Sequence, residues 1–549
     1  MKIGVFFSGD NGIISKTVDV DALAESLSDV QVTRVYDSFF SYASQQDMLE
    51  TVDGNDLDGI VFAGNSPKYF EKVINGTLIL DALKSRGINE NRIAFANIKE
   101  QVALPHAGES EKATKKARIL INVALAKLEM AREIKMESVA PRRAVLVIGT
   151  TAGGIIAARE LLEKGYRVYI IEKESSIRDQ AKMDHILPTL AAVQADSKAT
   201  MLFETNVKDV SGWCGDYPVL LSTQRGEEEI AVGGILLAAG DDREWIKDLR
   251  PKMQLDIDDE GFIRVQQVSD LAGRTRDSGI WFIPPAKGDN PVMEEISAAS
   301  TAVLSLITIL DKNEIQHPVL VSEVDENVCG GCGTCVKTCA FSASSLDPIR
   351  KVSVIDTKRC KGCGNCVSAC PTGARDLMTF PQKHIVRAIK IMGQTSPDDS
   401  EPKVLAMLCN GGGYSAADSA GELSSQMEEL KYSTNVMPLR VECGGSIDTQ
   451  HILEAFREGF DGIAITVCQS GHCHNIVGNT DMQRRLGLFR EVLRSRNIND
   501  NRLRIINILS HEGKEFSEEI KTFCDELKAL KTTCEESRPA NTLGGKQLA

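Results

Sequence analysis

The chain has 549 residues, enough for about three to five domains with separate cores. Hydrophobic residues make up 42% and charged residues 26%, a balance that is typical of globular proteins and excludes a disordered chain. The 63 Lys and Arg are outnumbered by 77 Asp and Glu, and the formal net charge of −14 argues against nucleic acid or an anionic membrane as the main partner. The sequence has no apolar run of 18 residues and no export signal, so we expect a cytoplasmic protein with no direct membrane span.

Residues 1–138 alternate short apolar runs with helical patterns. This rhythm predicts an α/β fold in which helices cover a parallel sheet. Helical patterns lie near Val20–Leu27 and Phe70–Ser85, and a longer one extends from about Glu109 to Glu133. The predicted strands are Ile3–Phe7, Val30–Tyr36, Gly59–Ala63 and Arg92–Ala96.

Residues 139–318 form a second predicted unit, with the element order of a Rossmann-like, FAD-type parallel-sheet domain. It opens with the strand Ala144–Ile148, continues through a glycine-containing turn and a helix to about Lys164, and returns in the strand Arg167–Ile171. In such a unit the amino terminus of the helix faces the pyrophosphate of a bound dinucleotide.

Four residues around this turn are candidates for nucleotide binding. Gly149 would allow the tight bend, Gly154 the close packing of the helix, and Glu172 would bind a ribose hydroxyl at the end of the next strand. The middle glycine of the usual G-x-G-x-x-G pattern, which admits the pyrophosphate, is replaced by Thr151. Because a side chain at that position narrows the approach, the turn is a degenerate version of the pattern.

Two later segments bear on FAD binding. The segment Ile235–Gly240 has the second strand-and-glycine signature of FAD proteins, which adds Gly240 to the candidate cofactor contacts. The Gly-Asp pair expected near Trp281–Lys287 is absent from the sequence. The patterns leave two alternatives, a working FAD site and a former flavin domain that serves as a scaffold.

The rest of the chain divides into four segments. Residues 319–378 form a cysteine-rich module, 379–402 a helical connector and polar linker, 403–534 a final α/β domain, and 535–549 a tail that is predicted to be disordered. The polar linker predicts that the final domain folds on its own. The strands predicted in that domain are Val404–Leu408, Val436–Val441, Gly462–Val467 and Leu503–Ile508.

The cysteine-rich module contains the spacing C-x2-C-x2-C-x3-C twice, the only internal repeat that the sequence indicates. This is the spacing of a bacterial two-cluster ferredoxin, in which the first three cysteines of each run ligate one 4Fe–4S cube and the fourth ligates the other. A pair of zinc knuckles is the alternative, although zinc sites rarely use a doubled four-cysteine run. The predicted ligands are Cys329, Cys332, Cys335 and Cys370 for cluster one, and Cys360, Cys363, Cys366 and Cys339 for cluster two.

Four further cysteines lie in the final domain. Cys409, Cys443 and Cys468 each follow a predicted strand, and Cys473 lies in the next loop. Because the carboxyl ends of parallel strands share one edge of the sheet, we expect these thiols to converge on one metal centre. Four thiolates suit a 2Fe–2S cluster or zinc, and inert buried thiols are the third alternative.

Five other residues are of types that can bind metal. His472 and His474 flank Cys473. Rieske-type ligation by histidine is one interpretation, but a position beside a metal-ligating cysteine or at the protein surface is favoured. The isolated Cys214, Cys524 and Cys534 are interpreted as structural or surface thiols.

This succession of units resembles the A subunit of heterodisulfide reductase and its relatives, which include flavoprotein subunits of quinone-interacting oxidoreductases in sulfate reducers. The segment from about Glu401 to Leu530 resembles the delta subunit of methyl-viologen-reducing hydrogenase. That family carries a 2Fe–2S cluster, so the resemblance implies one here. The motifs that carry the second resemblance are Leu408-Cys409-Asn410, Val441-Glu442-Cys443-Gly444-Gly445 and Cys468-Gln469-Ser470-Gly471-His472-Cys473-His474.

The chain departs from these families at several positions. The first domain has Phe7-Ser8-Gly9-Asp10 and Gly64-Asn65-Ser66-Pro67 where the family usually has cysteines, so we expect no cluster there. Gly412 stands where the hydrogenase delta family often has a further cysteine. The segment Ser176-Ile177-Arg178-Asp179 replaces a Gly-Gly and cysteine-bearing stretch. The resemblance therefore implies a shortened member.

Taken together, the motifs and the resemblance predict an electron-transfer subunit of a cytoplasmic oxidoreductase complex. Electrons would pass between one 2Fe–2S cluster, two 4Fe–4S clusters and FAD, where FAD is bound. The expected partners are heterodisulfide-reductase-like B and C subunits, a hydrogenase, a dehydrogenase or quinone-interacting subunits in a hetero-oligomer. No catalytic residue is predicted. A stand-alone NAD(P)H-dependent flavoenzyme and a redox-sensing or assembly scaffold are the alternative functions.

Overall fold

The structure is a computed structural model that describes residues 1–70, 77–178, 186–253, 255, 257, 260–263, 273, 275, 277–285, 291–319 and 321–536. Most of the tail predicted from residue 535, and the end of the Trp281–Lys287 segment, lie outside the described residues. The α/β class with parallel sheets is confirmed, because three sheets of parallel strands account for most of the paired strands in the described part.

The first sheet lies in the N-terminal domain, with strands in the order β2-β1-β3-β4, all parallel. Its apolar strands are covered by helices on both faces, as alternation of strands and helices requires. The elements are β1 Ile3–Ser8, α1 Val20–Glu25, β2 Val32–Tyr36, α2 Tyr42–Asn55, β3 Gly59–Gly64, α3 Pro67–Phe70, α4 Thr77–Ser85, β4 Ile93–Asn97 and α5 Ser110–Glu129.

The second sheet has the parallel order β13-β12-β6-β7-β8, and the antiparallel ribbon β9-β10-β11 joins it. The pair β5 and β14 brings the entry and the exit of this unit side by side. The elements are β5 Met136–Val139, β6 Ala144–Ile148, α6 Ala152–Glu163, β7 Arg167–Ile171, α7 Leu187–Ala195, β8 Ala199–Leu202, β9 Asn206–Val210, β10 Tyr217–Thr223, β11 Gly226–Val232, β12 Gly234–Leu237, α8 Arg243–Met253, β13 Ile280–Phe282, α9 Pro291–Leu310 and β14 Ile315–Pro318.

Within the described residues, one helix is long and apolar enough to meet the length and composition criteria for a membrane span. It is the part of α9 from Val292 to Leu310. Its residues Ala299, Val303 and Leu306 are buried in the core of the second unit, where α9 packs against α6. A core helix meets the same criteria, so the finding is weak evidence for a span.

The cysteine-rich module consists of two short antiparallel strand pairs and two one-turn helices. Each helix begins directly after a glycine in the left-handed conformation, Gly333 with φ +73° and Gly364 with φ +76°. The elements are β15 Ser322–Val324, α10 Thr334–Lys337, β16 Ser344–Leu346, β17 Ser353–Ile355, α11 Asn365–Ser368 and β18 Arg375–Leu377.

The third parallel sheet, in the C-terminal domain, has the order β20-β19-β21-β22. The helix before it, α12, lies in the predicted helical connector and packs on α5 and α14. The elements are α12 Gln382–Gln394, β19 Val404–Cys409, α13 Gly413–Ser424, β20 Val436–Val441, α14 Thr449–Arg457, β21 Gly462–Cys468, α15 Gly478–Ser495, β22 Leu503–Ile508 and α16 Gly513–Glu536.

The N-terminal and C-terminal domains have the same strand order, and short sequences recur before equivalent strands. Ile88-Asn89-Glu90-Asn91-Arg92 precedes β4, and Ile498-Asn499-Asp500-Asn501-Arg502 precedes β22. The expectation that the cysteine runs are the only internal repeat was therefore wrong. The second repeat is hard to see in the sequence because its identity is confined to short stretches, the turns above and Asp58-Gly59-Ile60 against Asp461-Gly462-Ile463 at the start of β3 and of β21.

The two similar domains share one hydrophobic core. Residues of α5, of α12 and of the C-terminal sheet, such as Leu120, Ile389 and Met407, belong to one buried cluster. The prediction that the C-terminal domain folds on its own is at odds with this core, because a segment that begins at residue 402 would expose the face of its sheet that α12 and α5 help to cover.

A buried polar cluster also joins these domains. The carboxylate of Asp418 on α13 accepts hydrogen bonds from Asn97 (2.9 Å), Gln101 (2.8 Å) and the Ser66 hydroxyl (2.6 Å). The Ser66 amide donates to Glu100 over 2.8 Å. Two carboxyl groups therefore share one serine inside the interface between the domains.

Candidate metal centres and the nucleotide turn

The structure gathers the eight cysteines of the ferredoxin-like module into the two predicted sets. Cys329, Cys332, Cys335 and Cys370 line one cavity. Cys363 lies among the other set, because Cys366, Cys360 and Cys339 add to the burial that raises the pKa of its thiol. The fourth cysteine of each run thus lies with the first three cysteines of the other run.

Hydrogen-bond donors surround these thiols. The amide of Ala343 donates to Cys339 Sγ over 3.3 Å, and the amide of Ser353 donates to Cys329 Sγ over 3.4 Å. The hydroxyl of Ser353 lies 3.2 Å from Cys335 Sγ. Such contacts stabilise negative charge on sulfur and tune a bound cluster. The cysteine spacing gave no indication of Ser353, because it reaches the site across the β16–β17 turn.

In the C-terminal domain the four thiols are buried and form two pairs. Cys409 at the end of β19 and Cys468 at the end of β21 have their sulfurs 3.8 Å apart. Cys443, just after β20, is hydrogen-bonded to Cys473. Two thiolates bound at about 2.3 Å to one tetrahedral metal lie about 3.8 Å apart. The Cys409–Cys468 pair therefore has the spacing that suits one metal atom.

The environment of each pair favours one thiolate. A hydrogen bond from Cys468, helped by the amides of Gly413 and Gly412, lowers the pKa of Cys409 to about 6. A hydrogen bond from Cys443 likewise lowers the pKa of Cys473 to about 6. The same hydrogen bonds, together with burial, raise the pKa of the partner thiols Cys468 and Cys443 well above the ordinary value. Because the thiolate is the metal-binding form, one thiol of each pair is prepared to bind metal near neutral pH, and metal binding would have to displace the proton of the other.

Polar side chains outside the predicted ligand set hold these loops. His474 Nδ1 lies 3.4 Å from Cys468 Sγ, so this histidine contacts a thiol. The side-chain amides of Asn479 and Asn507 donate to the Cys468 carbonyl over 2.9 and 3.1 Å. Sequence reasoning missed both asparagines, since neither lies in a cysteine motif.

The C-terminal domain packs directly on the half of the module that holds cluster two. Arg485 on α15 donates to Asn365 Oδ1 over 3.1 Å and to the Gly445 carbonyl over 2.8 Å. The Ser368 hydroxyl donates to the same carbonyl over 2.5 Å. Cys363 is close enough to Cys443 to raise the pKa of the Cys443 thiol electrostatically. The two sets of thiols thus face each other across this contact.

The nucleotide turn has the predicted backbone. Gly149 has φ +104°, and a Cβ there would overlap the Ala238 carbonyl. A Cβ at Gly154 would lie 2.6 Å from the Gly149 carbonyl oxygen. Gly240 has φ +61° and contacts Thr151, because a Cβ there would lie 3.2 Å from Thr151 Cγ2. Tight packing of strand and helix therefore accounts for these glycines without a nucleotide.

The polar groups that would hold a dinucleotide are engaged by the protein itself. Thr151 Oγ1 accepts from the Gly154 amide over 3.3 Å, and Glu295 accepts from the Gly153 amide over 3.0 Å, so a carboxylate occupies the helix amino terminus. Glu172 is completely buried and bound by both the Thr150 hydroxyl and Arg178 Nε at 2.8 Å.

These residues do not fit FAD as they stand. A pyrophosphate at this turn would face the negative charge of Glu295, and a ribose would have to displace Arg178 from Glu172. Arg178 also donates to Asp242 over 2.9 Å, so its removal would break two ion pairs. The turn thus brings together the candidate cofactor contacts Gly149, Thr151, Gly154, Glu172 and Gly240. It is closed, however, by the chain's own side chains.

Comparisons with known proteins agree with the cysteine sites. The model of the methyl-viologen-reducing hydrogenase delta subunit matches residues 404–531, and the model of a 4Fe-4S dicluster domain matches residues 328–374. The chain is thus an iron–sulfur protein with the domains of an oxidoreductase component.

The chain is also similar to curated A subunits of heterodisulfide reductases. The chain is 34% identical over 253 residues to the A subunit of a ferredoxin:CoB-CoM heterodisulfide reductase of Methanosarcina mazei, covering 46% of this chain and 31% of that relative. It is 22% identical to the A subunit of a ferredoxin/F(420)H(2)-dependent CoB-CoM heterodisulfide reductase of Methanosarcina acetivorans, covering 96% and 97%. The chain resembles the A subunit of heterodisulfide reductase, fused to a domain like the hydrogenase delta subunit.

Two further comparisons limit the reach of these similarities. The iron-sulfur A subunit of a CoB--CoM heterodisulfide reductase of Methanopyrus kandleri is 29% identical, covering 40% of this chain and 34% of the relative. The chain thus matches about a third of the length of the Methanosarcina mazei and Methanopyrus kandleri relatives. Among solved structures, thioredoxin reductase from Streptococcus pyogenes matches 31% of this chain and 54% of its own, with 20% identity and a TM-score of 0.16, too low to show a shared overall fold.

Proposed function

We propose that the chain is the electron-transfer subunit of a heterodisulfide-reductase-like oxidoreductase complex. It would hold a 2Fe–2S cluster in the C-terminal domain and two 4Fe–4S clusters in the ferredoxin-like module, and relay electrons between them and partner subunits. When bound, these clusters supply one-electron chemistry. The observation that carries the proposal is the direct packing of the paired thiols against the half of the module that contains Cys363.

The arrangement in pairs favours 2Fe–2S over zinc in the C-terminal domain. A 2Fe–2S cluster takes two thiolates on each of two irons, and the pairs Cys409–Cys468 and Cys443–Cys473 supply them. A structural zinc would need all four thiols around one ion.

The chain's own residues do three things for such a relay. Burial of the four C-terminal thiols keeps water away from them, and the contacts of Arg485 fix the module against that domain. The amides near the sulfurs stabilise their negative charge and so set the potentials. Thiol ligands also require a reducing compartment, which is why we expect a cytoplasmic complex.

The relay that we propose contains no flavin step, because the turn is closed by Glu295 and Arg178. This also speaks against the alternative of a stand-alone NAD(P)H-dependent flavoenzyme. The proposed partners are heterodisulfide-reductase-like B and C subunits, a hydrogenase, a dehydrogenase or quinone-interacting subunits, in a hetero-oligomer.

Anaerobic purification of the full chain from its native host tests the proposal. We expect iron and acid-labile sulfide in the protein, stable co-purification of at least one other redox protein, and rapid reduction of the clusters by the electron donor of that protein. A chain that purifies alone with intact clusters and exchanges electrons with no co-expressed redox protein would support the redox-sensing scaffold instead.

A further inference from the structure

The ferredoxin-like module is an internal duplication with an offset of 31 residues, and its two halves have different surroundings. Gly333 corresponds to Gly364, and Leu346 corresponds to Leu377. In the cluster-two half, a Cβ at Gly364 would lie 2.5 Å from Ser446 Cβ of the C-terminal domain. At Gly333 the nearest atom is Leu346 Cδ1, at 3.6 Å, within the module itself.

The same contrast appears in the side chains. Leu377 is 1% exposed, whereas its counterpart Leu346 is 40% exposed. Asn365 is buried in contact with Arg485, whereas its counterpart Thr334 is only partly buried. The face that the C-terminal domain covers on cluster two is therefore open on cluster one.

The open face has the composition of a protein interface. Around the cluster-one cysteines it presents uncharged residues, and Ile349 is 88% exposed at the tip of the β16–β17 turn. Charged residues lie at its border. An uncharged centre inside a charged border is the usual anatomy of a protein–protein contact. Four of its exposed residues, Gly330, Cys332, Leu346 and Pro371, line the cavity of the cluster-one cysteines, and the exposed Val328, Pro348 and Ile349 adjoin them along the chain. The exposed charged residues next to these in the sequence are Asp325, Glu326, Lys337, Arg350 and Lys351.

We propose that this face, which we call the cluster-one face, is the docking site for a second iron–sulfur protein. That protein would seat its own cluster against cluster one as the C-terminal domain seats its paired thiols against cluster two. The exposed Cys332 places one predicted ligand at the centre of the face. The inference rests on the proposed relay and names the end of the chain through which electrons leave or enter.

The burial of all four C-terminal thiols supports the cluster-one face as the place where electrons enter or leave the chain. Of the cysteines whose burial the structure describes, Cys332 of cluster one is the only exposed one, so it is the predicted ligand that an approaching partner can contact directly. Redox partners form small, transient contacts, and a face of this kind suits such an encounter.

Stopped-flow electron exchange with the full-length, cluster-loaded protein tests the proposal. One probe is a reduced two-cluster bacterial ferredoxin and the other is reduced methyl viologen, which is too small to need a docking face. We expect Ile349→Glu and Ile349→Lys each to slow exchange with ferredoxin at least tenfold and to leave exchange with viologen unchanged. Both signs of charge are used because loss of the apolar contact, and not charge repulsion, is the expected cause.

Leu488→Glu provides the matched control, since Leu488 is 71% exposed on α15, outside the cluster-one face. Unchanged ferredoxin exchange in the Ile349 variants, or an equal loss in the control, would overturn the inference. A change in the oligomeric mass of the chain without a change in ferredoxin exchange would also overturn it, because the face would then bind a second copy. A wild-type protein that exchanges electrons with neither probe would instead overturn the proposed function.

Discussion

Glu100→Gln should remove most of a pH-dependent instability at the contact between the N-terminal and C-terminal domains. Glu100 is fully buried, and burial together with the nearby Asp418 raises its pKa from 4.5 to about 8. One oxygen accepts from the Ser66 amide, and the other lies 3.8 Å from Lys99 Nζ without a hydrogen bond. Glutamine keeps the first contact and carries no charge.

The sign and the size of the effect come from the raised pKa. Between about pH 4.5 and 8 the native protein holds a proton that the unfolded chain releases, so the free energy of unfolding falls as the pH rises. A shift of roughly 3.5 pKa units, at about 1.4 kcal/mol for each unit, corresponds to about 5 kcal/mol above pH 8 and to almost nothing below pH 4.5. Asp418, whose pKa burial raises to about 7, adds an effect of the same sign that Glu100→Gln leaves in place.

Urea unfolding of the full-length protein, followed by circular dichroism at pH 5.5 and pH 8.5, measures this effect. The variant should gain several kcal/mol over the wild type at pH 8.5 and much less at pH 5.5. Glu228→Gln, an exposed position on β11, serves as the control and should show no such dependence. Parallel pH profiles for wild type and Glu100→Gln would refute the reasoning.

Three further predictions concern the cofactor sites. Cys329→Ala should remove one cube and leave the other, and iron analysis that finds both cubes intact would show that the ligand sets are wrong. Gly364→Ala should loosen the module from the C-terminal domain, because the added Cβ would lie 2.5 Å from Ser446 Cβ, and limited proteolysis measures this loosening. Gly333→Ala is the control, since it imposes the same left-handed backbone strain of about 1–2 kcal/mol but meets no atom of the C-terminal domain. After anaerobic incubation with excess FAD and gel filtration, acid-released flavin measured by its fluorescence should be absent from the wild type and also from Thr151→Gly, because the Glu172 ion pair remains; a stoichiometric flavin in either protein would contradict the closed turn.

Sequence reasoning predicted that the C-terminal thiols share one sheet edge but could not pair them. That three cysteines follow successive strands predicts that they share a sheet edge, because parallel strands point the same way. Strand order alone does not decide the pairing, because β19 lies between β20 and β21 and Cys409 therefore has a neighbour on either side. The sulfurs that approach to 3.8 Å are those of Cys409 and Cys468, which leaves Cys443 for Cys473. This choice depends on the tertiary conformation of the loops after the strands, which no local motif contains.

The sequence predicts the crowding of the nucleotide turn but not the side chains that close it. Thr151 in place of glycine is visible in the sequence and indicates a crowded turn. The two groups that fill the site are not visible there, since Glu295 lies 142 residues from the Gly153 amide that it binds. Arg178 lies in the segment that departs from the family, and its role depends on the tertiary contact with Glu172 and Asp242.

The central claim is that the chain carries three clusters, one of them held by two pairs of thiols next to cluster two. An EPR-monitored redox titration of anaerobically prepared full-length protein, with iron, sulfide and zinc counted on the same sample, tests it most directly. The account predicts about ten irons and ten sulfides for each chain, and a 2Fe–2S signal that is lost in Cys409→Ser and Cys468→Ser while both cubes remain. About eight irons, with one zinc held by the four C-terminal thiols, would contradict it.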